Sequence, residues 1–200
     1  MNLLIINYGT SNINSIYNSV KKIKNVNVYV NDFKKKHIDK IIFPGQSHIK
    51  TSIDFIKNNY EFYEKIKNKY ILGICIGYHI FFKKSEENIK INSLNYIKKN
   101  IKLLSKKCCD KYIIPNIGWK PIYIIKNHII FKNLPLYFNQ YFMNSFSSYY
   151  NKEKFSFGVS KINNLLYNSI VIKNNKILFQ FHPEKSGNYG LKLINNFIKL

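Results

Sequence analysis

The chain is predicted to be an α/β protein: a doubly wound, mostly parallel sheet with flanking helices and an antiparallel, strand-rich addition in the second half. Three observations predict it. In the first half, short apolar runs alternate with longer amphipathic segments, the pattern of βαβ units. In the second half, strand-like runs predominate, and Asn174-Asn175, residues that tolerate positive φ, turn a hairpin. The 200 residues can bury a sizeable core and contain no linker rich in Pro, Gly and Ser, so residues 1–200 are expected to form one domain.

Leu3 to Asn7 reads as the first strand, followed by a helix from Asn12 to Lys24 and strands at Val26 to Val30 and Lys40 to Phe43. A helix is expected from Thr51 to Asn68, because Ile53, Ile56, Tyr60, Tyr63 and Ile66 recur close to helical spacing and make one face apolar. Tyr70 to Ile74 is a strand, and Tyr78 to Lys84 the helix after it. Strands follow at Lys120 to Ile125, Tyr141 to Phe146 and Phe155 to Ser160. Ser169 to Ile172 and Lys176 to Phe181 form the hairpin, and a helix from Leu191 to Ile198, after Gly190, closes the chain.

The net charge of +22 is what a nucleic-acid binder often shows. Here the lysines are scattered, with only short runs such as Lys34-Lys35-Lys36. The chain has no Arg, which reduces bidentate readout of guanine to lysine point contacts, so no nucleic-acid partner is expected. The longest apolar stretch, Tyr70 to Phe82, falls short of the roughly 20 residues that span a bilayer, and Met1 to Ile6 carries no basic leader. A soluble, cytoplasmic protein without a membrane partner is expected. The three cysteines suit neither a disulfide framework nor a metal site; Cys108 and Cys109 read as incidental, and no metal or cofactor is expected.

Chemistry enters with two segments, Gly73-Ile74-Cys75-Ile76-Gly77 and Phe181-His182-Pro183-Glu184-Lys185-Ser186-Gly187. The first follows a strand and precedes a helix, so Cys75 sits on a sharp turn, the nucleophile elbow with sulfur in place of oxygen. Glycines flank such a turn because a Cβ would collide with neighbouring chain. The helix N-terminus favours a thiolate, and the N–H of Ile76 points to where an oxyanion forms. In the second segment, strand alternation puts His182 and Glu184 on one face. The carboxylate then fixes the imidazole tautomer and leaves the other nitrogen to take a proton from Cys75. His79, at helical i, i+4 spacing from Cys75, is a rival base without an orienting carboxylate of its own in the sequence.

Cys75, His182 and Glu184 in these settings resemble the triad of class I glutamine amidotransferases. Asn7-Tyr8-Gly9-Thr10-Ser11-Asn12, Phe43-Pro44-Gly45, Ile117-Gly118-Trp119, Tyr141-Phe142-Met143-Asn144-Ser145 and the run from His182 to Leu191 are similar to the glutaminase subunits of imidazole glycerol phosphate synthase. The resemblance spans essentially the whole chain, and its most specific part is the Lys-Ser-Gly continuation after His-Pro-Glu. It implies hydrolysis of L-glutamine and a (βα)₈-barrel cyclase partner that receives the ammonia. It also implies oxyanion donors at Gly45, Gln46 and Ile76, and substrate contacts at His79, Asn144, Ser145 and Phe146. The partner interface it implies contains Asn12, Trp119, Tyr141 and Lys185, although by residue type alone Trp119 suits a core and Lys185 a solvated surface.

Three positions depart from the family. Ser47 stands where Pro-Gly-x-Gly has its second glycine, on the strand expected to supply an oxyanion donor; if that strand must flip, a Cβ disfavours the flipped state by about 1 kcal/mol or more. His79 replaces a substrate-holding glutamine and Asn144 a histidine. Two readings follow: an active glutaminase, or a scaffold that keeps its barrel-binding surface and hydrolyses glutamine poorly.

Overall fold

A computed structural model describes residues 1–9, 13–35, 37–104 and 114–200. Its elements are β1 (Asn2–Ile5), α1 (Asn14–Lys21), β2 (Asn27–Val30), β3 (Lys40–Phe43), α2 (Ile49–Asn58), α3 (Tyr60–Ile66), β4 (Tyr70–Ile74), α4 (Ile76–His79), β5 (Phe82–Ser85) and β6 (Ile97–Leu103). They continue with β7 (Asn116–Ile124), β8 (Tyr137–Asn144), β9 (Phe146–Ser147), β10 (Ser156–Ile162), β11 (Leu165–Lys173), β12 (Lys176–Phe179) and α5 (Gly187–Lys199). One nine-stranded sheet runs in the order β2-β1-β3-β4-β12-β11-β10-β7-β8. Strands β2, β1, β3, β4 and β12 are parallel neighbours, and from β12 to β8 every pairing is antiparallel. The strand-rich second half therefore extends the first sheet without a break.

The inner parallel strands β1, β3, β4 and β12 are buried on both faces, which is why they read as nearly unbroken apolar runs, whereas the edge strand β2 is partly exposed. Leu3, Ile5, Ile42, Leu72, Ile74, Ile177 and Phe179 join the core closed by Ile16 and Val20 of α1 and Leu193, Ile194 and Phe197 of α5. Their strand neighbours Leu4, Ile41, Phe43, Ile71 and Leu178 face the opposite core, with Ile53 and Ile56 of α2, Ile66 of α3, and Phe82 and Ile97 from the small β5-β6-β9 sheet.

Several expected boundaries move. The helix expected over Thr51 to Asn68 breaks at Asn59, whose φ of −119° and ψ of 35° are not helical, and Tyr60 faces solvent instead of the core. Tyr78 to Lys84 is not one helix: α4 lasts a single turn, and Phe82 to Ser85 pairs with β6, a strand the local pattern did not announce. The segment from Tyr141 to Phe146 divides at Ser145 into β8 and β9, which lie in different sheets. Gly190 does not precede the last helix but lies within α5, where a Cβ would come 2.0 Å from the Pro183 carbonyl oxygen. Asn174 turns the β11–β12 hairpin at a φ of 50°, as expected. Asn12, Cys108 and Cys109 lie outside the described residues. No helix among the described residues is long and apolar enough to cross a membrane.

Candidate active site

Cys75 sits between β4 and α4 with a φ of 47° and ψ of −100°, a backbone state that a non-glycine residue keeps only when its surroundings impose it. They do. The Cys75 N–H donates to the Phe179 carbonyl at 2.7 Å, and its own carbonyl accepts from the N–H groups of Tyr78 (3.0 Å) and His79 (3.1 Å). Both flanking glycines are needed for space: a Cβ on Gly77 would lie 2.0 Å from the Phe43 oxygen, and one on Gly73 2.4 Å from the Gly77 oxygen. The strand-to-helix elbow is thus locked by its neighbours on both sides.

His182 and Glu184 meet, though not by strand alternation. Strand β12 ends at Phe179, and Glu184 lies on a one-turn 3-10 helix, Pro183–Lys185, which folds its carboxylate back to place Oε1 2.8 Å from His182 Nδ1. Both side chains are buried. The other ring nitrogen, Nε2, has no hydrogen-bond partner among the described residues. A Cβ added to Gly45 would lie 2.7 Å from His182 Cε1 and 2.9 Å from Cys75 Cβ, so the imidazole and the cysteine converge on one point. Burial opposes the imidazolium, but the Cys75 sulfur and the Glu184 carboxylate outweigh it and raise His182 to about 10.

A cleft of about 530 Å³ opens over this point. Gly45, Gln46 and Ile76 line it, as do His79, Asn144, Ser145, Phe146 and Lys185. Asn144 is tied down: its Nδ2 donates to the Phe146 carbonyl at 3.0 Å and its Oδ1 accepts from Asn116 Nδ2 at 3.2 Å. His79 is also engaged, with Nε2 3.0 Å from Gln180 Oε1 and Nδ1 3.7 Å from Glu87 Oε2. Glu87 therefore brings a carboxylate near His79 that the sequence did not reveal, within ion-pair reach of Nδ1 though beyond hydrogen-bond distance. Burial raises the Glu87 carboxyl, but His79, the Ile49 N–H and His48 together hold it below the usual range.

Glu87 and Gln180 are site residues that sequence reasoning missed. Glu87 arrives from the loop after β5, a strand hidden behind an expected helix. Gln180 precedes His182 by two positions, so alternation was its one available signal; its Nε2 lies 4.0 Å from Cys75 Sγ.

Trp119 is 55% exposed, which removes it from the core. It sits opposite Tyr141 on the β7–β8 hairpin, rings 6.2 Å apart and edge to face. Ile117 pairs with Met143 and Tyr123 with Tyr137 on the same exposed face, while Ile122, Phe138 and Phe142 point into the core. An edge hairpin normally turns polar residues to solvent; here that face is aromatic and aliphatic. Met143 belongs both to this strip and to the cleft wall.

The chain belongs to the class-I glutamine amidotransferase family, whose family model matches residues 4–200. Solved structures share the fold: PurLQS from Thermotoga maritima (TM-score 0.71, 16% identity, 99% of this chain and 97% of that one) and the glutaminase domain of Trypanosoma brucei CTPS with bound acivicin (TM-score 0.63, 11% identity, 100% and 94%). Within the family, relatives of this chain include subunits of imidazole glycerol phosphate synthase. The subunit HisH of Methanocaldococcus jannaschii is 32% identical over 98% of both chains, and that of Pelagibacter ubique 30% identical over 100% of both.

Proposed function

We propose that this chain hydrolyses L-glutamine to glutamate and ammonia through Cys75, His182 and Glu184, and that it does so as the glutaminase half of a cytoplasmic heterodimer. The Cys75 thiolate attacks the side-chain amide carbon, and the N–H of Ile76, aided by Gly45 or Gln46, receives the oxyanion. His182, held by Glu184, protonates the departing ammonia. It then takes a proton from the water that hydrolyses the glutamyl thioester. Trp119, Tyr141 and Lys185 form the surface that a (βα)₈-barrel cyclase covers. Ammonia passes into that barrel and meets the phosphoribulosyl-formimino intermediate of histidine biosynthesis, giving imidazole glycerol phosphate and aminoimidazole carboxamide ribotide.

The observation that carries this reading is the convergence of Cys75 and the His182–Glu184 pair beneath a cleft whose wall, at Met143, is continuous with an exposed aromatic strip. The test is glutamate release by the chain co-purified with its barrel partner, with and without the partner's nucleotide substrate, against Cys75→Ala. Ligand-stimulated release that the variant lacks is expected. A stable complex releasing no more than the variant would favour the scaffold reading, to which Ser47, His79 and Asn144 lend weight.

A further inference from the structure

Cys75 has a second buried neighbour besides His182. Gln180 is fully buried, with its carbonyl oxygen 3.0 Å from His79 Nε2 and its amide nitrogen 4.0 Å from Cys75 Sγ. The ring of His79 is itself buried and presents Nδ1 to the Glu87 carboxylate at 3.7 Å. We propose that Glu87, His79 and Gln180 form a positioning chain that aims an amide N–H at the Cys75 sulfur and so stabilises its thiolate, on the side away from His182.

Two hydrogen-bond arguments fix the direction of the chain. An amide oxygen can only accept, so the contact at Oε1 requires a proton on His79 Nε2. On the other side, the Cys75 thiol lies 4.0 Å from the Met143 carbonyl oxygen, an acceptor that takes up its single proton. The sulfur therefore turns lone pairs toward Gln180, which suits the NH₂ end of the amide. With the His79 proton on Nε2 and the thiol proton on the Met143 carbonyl, reversing the amide would set two acceptors against each other at the sulfur and two donors at the imidazole. When the thiol ionises, the same N–H faces a full charge and the contact strengthens. At 4.0 Å it is long for a neutral pair, which leaves room for contraction as charge develops.

The titratable groups lining or adjoining the cleft around this sulfur come from several elements: His182 and Glu184 from the turn after β12, His79 from α4, Glu87 from the loop after β5, His48 just before α2, and Lys185 at the cleft wall. The His182 ring bonds Glu184 through Nδ1, and its Nε2 has no hydrogen-bond partner among the described residues, so the contribution of His79 and Gln180 separates from that of the pair His182–Glu184.

The inference rests on Cys75 being the nucleophile. It is tested by the rate of Cys75 alkylation by iodoacetamide against pH in the purified chain, with Cys75→Ala as blank. Four proteins are compared: the unaltered chain, Gln180→Met, His79→Leu and His79→Gln. Loss of one hydrogen bond to the charged form should move the alkylation profile of Gln180→Met and His79→Leu to higher pH by about one unit, slowing reaction about tenfold on the rising limb. His79→Gln, which can still donate to Gln180, should stay close to the unaltered profile. Profiles unchanged in both Gln180→Met and His79→Leu would overturn the inference. If Gln180→Met fails to fold, His79→Leu against His79→Gln still decides it. Glutamate release by the unaltered complex is read in parallel. Its absence would remove the proposed function while a shifted profile upheld the chain of contacts; its presence with unshifted profiles would remove only the chain.

Discussion

The main-chain N–H of His182 donates to the Tyr141 carbonyl at 2.9 Å. Ser186 Oγ reinforces the join, accepting from the Tyr141 N–H at 2.8 Å and donating to the His182 carbonyl at 2.6 Å. The imidazole is therefore mounted on the strand whose outward face carries Tyr141 and Met143. A partner that presses on β8 bears on the backbone that holds the base.

Removing the base should abolish turnover without unfolding the chain. His182→Ala is expected to lower glutamate release by about 10² to 10⁴-fold, the usual contribution of a positioned general acid and base. Normal release by this variant would refute the assignment.

In the proposed complex Trp119 serves binding and little else, since more than half of its surface meets solvent in the isolated chain. Trp119→Ala should weaken association with the barrel partner by about 2 kcal/mol, roughly thirtyfold, as an aromatic anchor at an interface does. Its denaturation midpoint alone should stay put. Calorimetric titration of the two chains reads the first number; an unchanged affinity would place the interface elsewhere.

The state of His182 should appear in the pH dependence of stability. Its pKa rises on folding from 6.5 to about 10, so the folded chain holds this proton more tightly than the unfolded one. The resulting stabilisation is complete below the unfolded value and is lost as pH climbs through the folded one. Between pH 7 and 10 the unaltered chain should lose more stability to urea than His182→Gln does. Parallel losses would contradict a raised pKa.

Lys40 is almost fully buried, and its Nζ donates to the Phe197 and Ile198 carbonyls at 2.9 and 2.8 Å, closing the end of α5. Lys40→Ala strands both carbonyls and should cost about 1 to 3 kcal/mol. Urea denaturation reads it directly. A cost within a few tenths would mean that water replaces the ammonium without penalty.

Ser47 lies outside the left-handed region of backbone space. If the strand after Gly45 must flip to offer its N–H, Ser47→Gly should ease the flip by about 1 kcal/mol and raise unstimulated glutamate release about fivefold. An unchanged basal rate would show that this strand does not limit it.

Much of the fold was legible because parallel strands buried on both faces leave unbroken apolar runs, and β1, β3 and β4 appear where such runs fall. Strands β5 and β6 were not legible: Phe82 is buried by a pairing with Ile97 that no local pattern announces. The same gap concealed Glu87. The break at Asn59 was hidden because Ile53, Ile56 and Ile66 keep helical spacing across it, although Tyr60 turns outward.

At the site, the sequence alone determined the elbow at Cys75 and the contact of His182 with Glu184. The elbow's glycines stand beside the cysteine and so announce the turn, although Phe43 and Phe179 on neighbouring strands hold it; the histidine and glutamate are two residues apart, so reach suffices for their contact. Tertiary structure alone decided that Gly45 and Cys75 converge on His182, that Gln180 bridges His79 and the sulfur, and that Trp119 points outward. Those relations join strands distant in sequence, and they follow from the order β3-β4-β12 in the sheet and from β7–β8 lying at its edge. A linear pattern records which residues alternate along a strand; strand order and packing decide which face reaches the nucleophile and which remains for a partner.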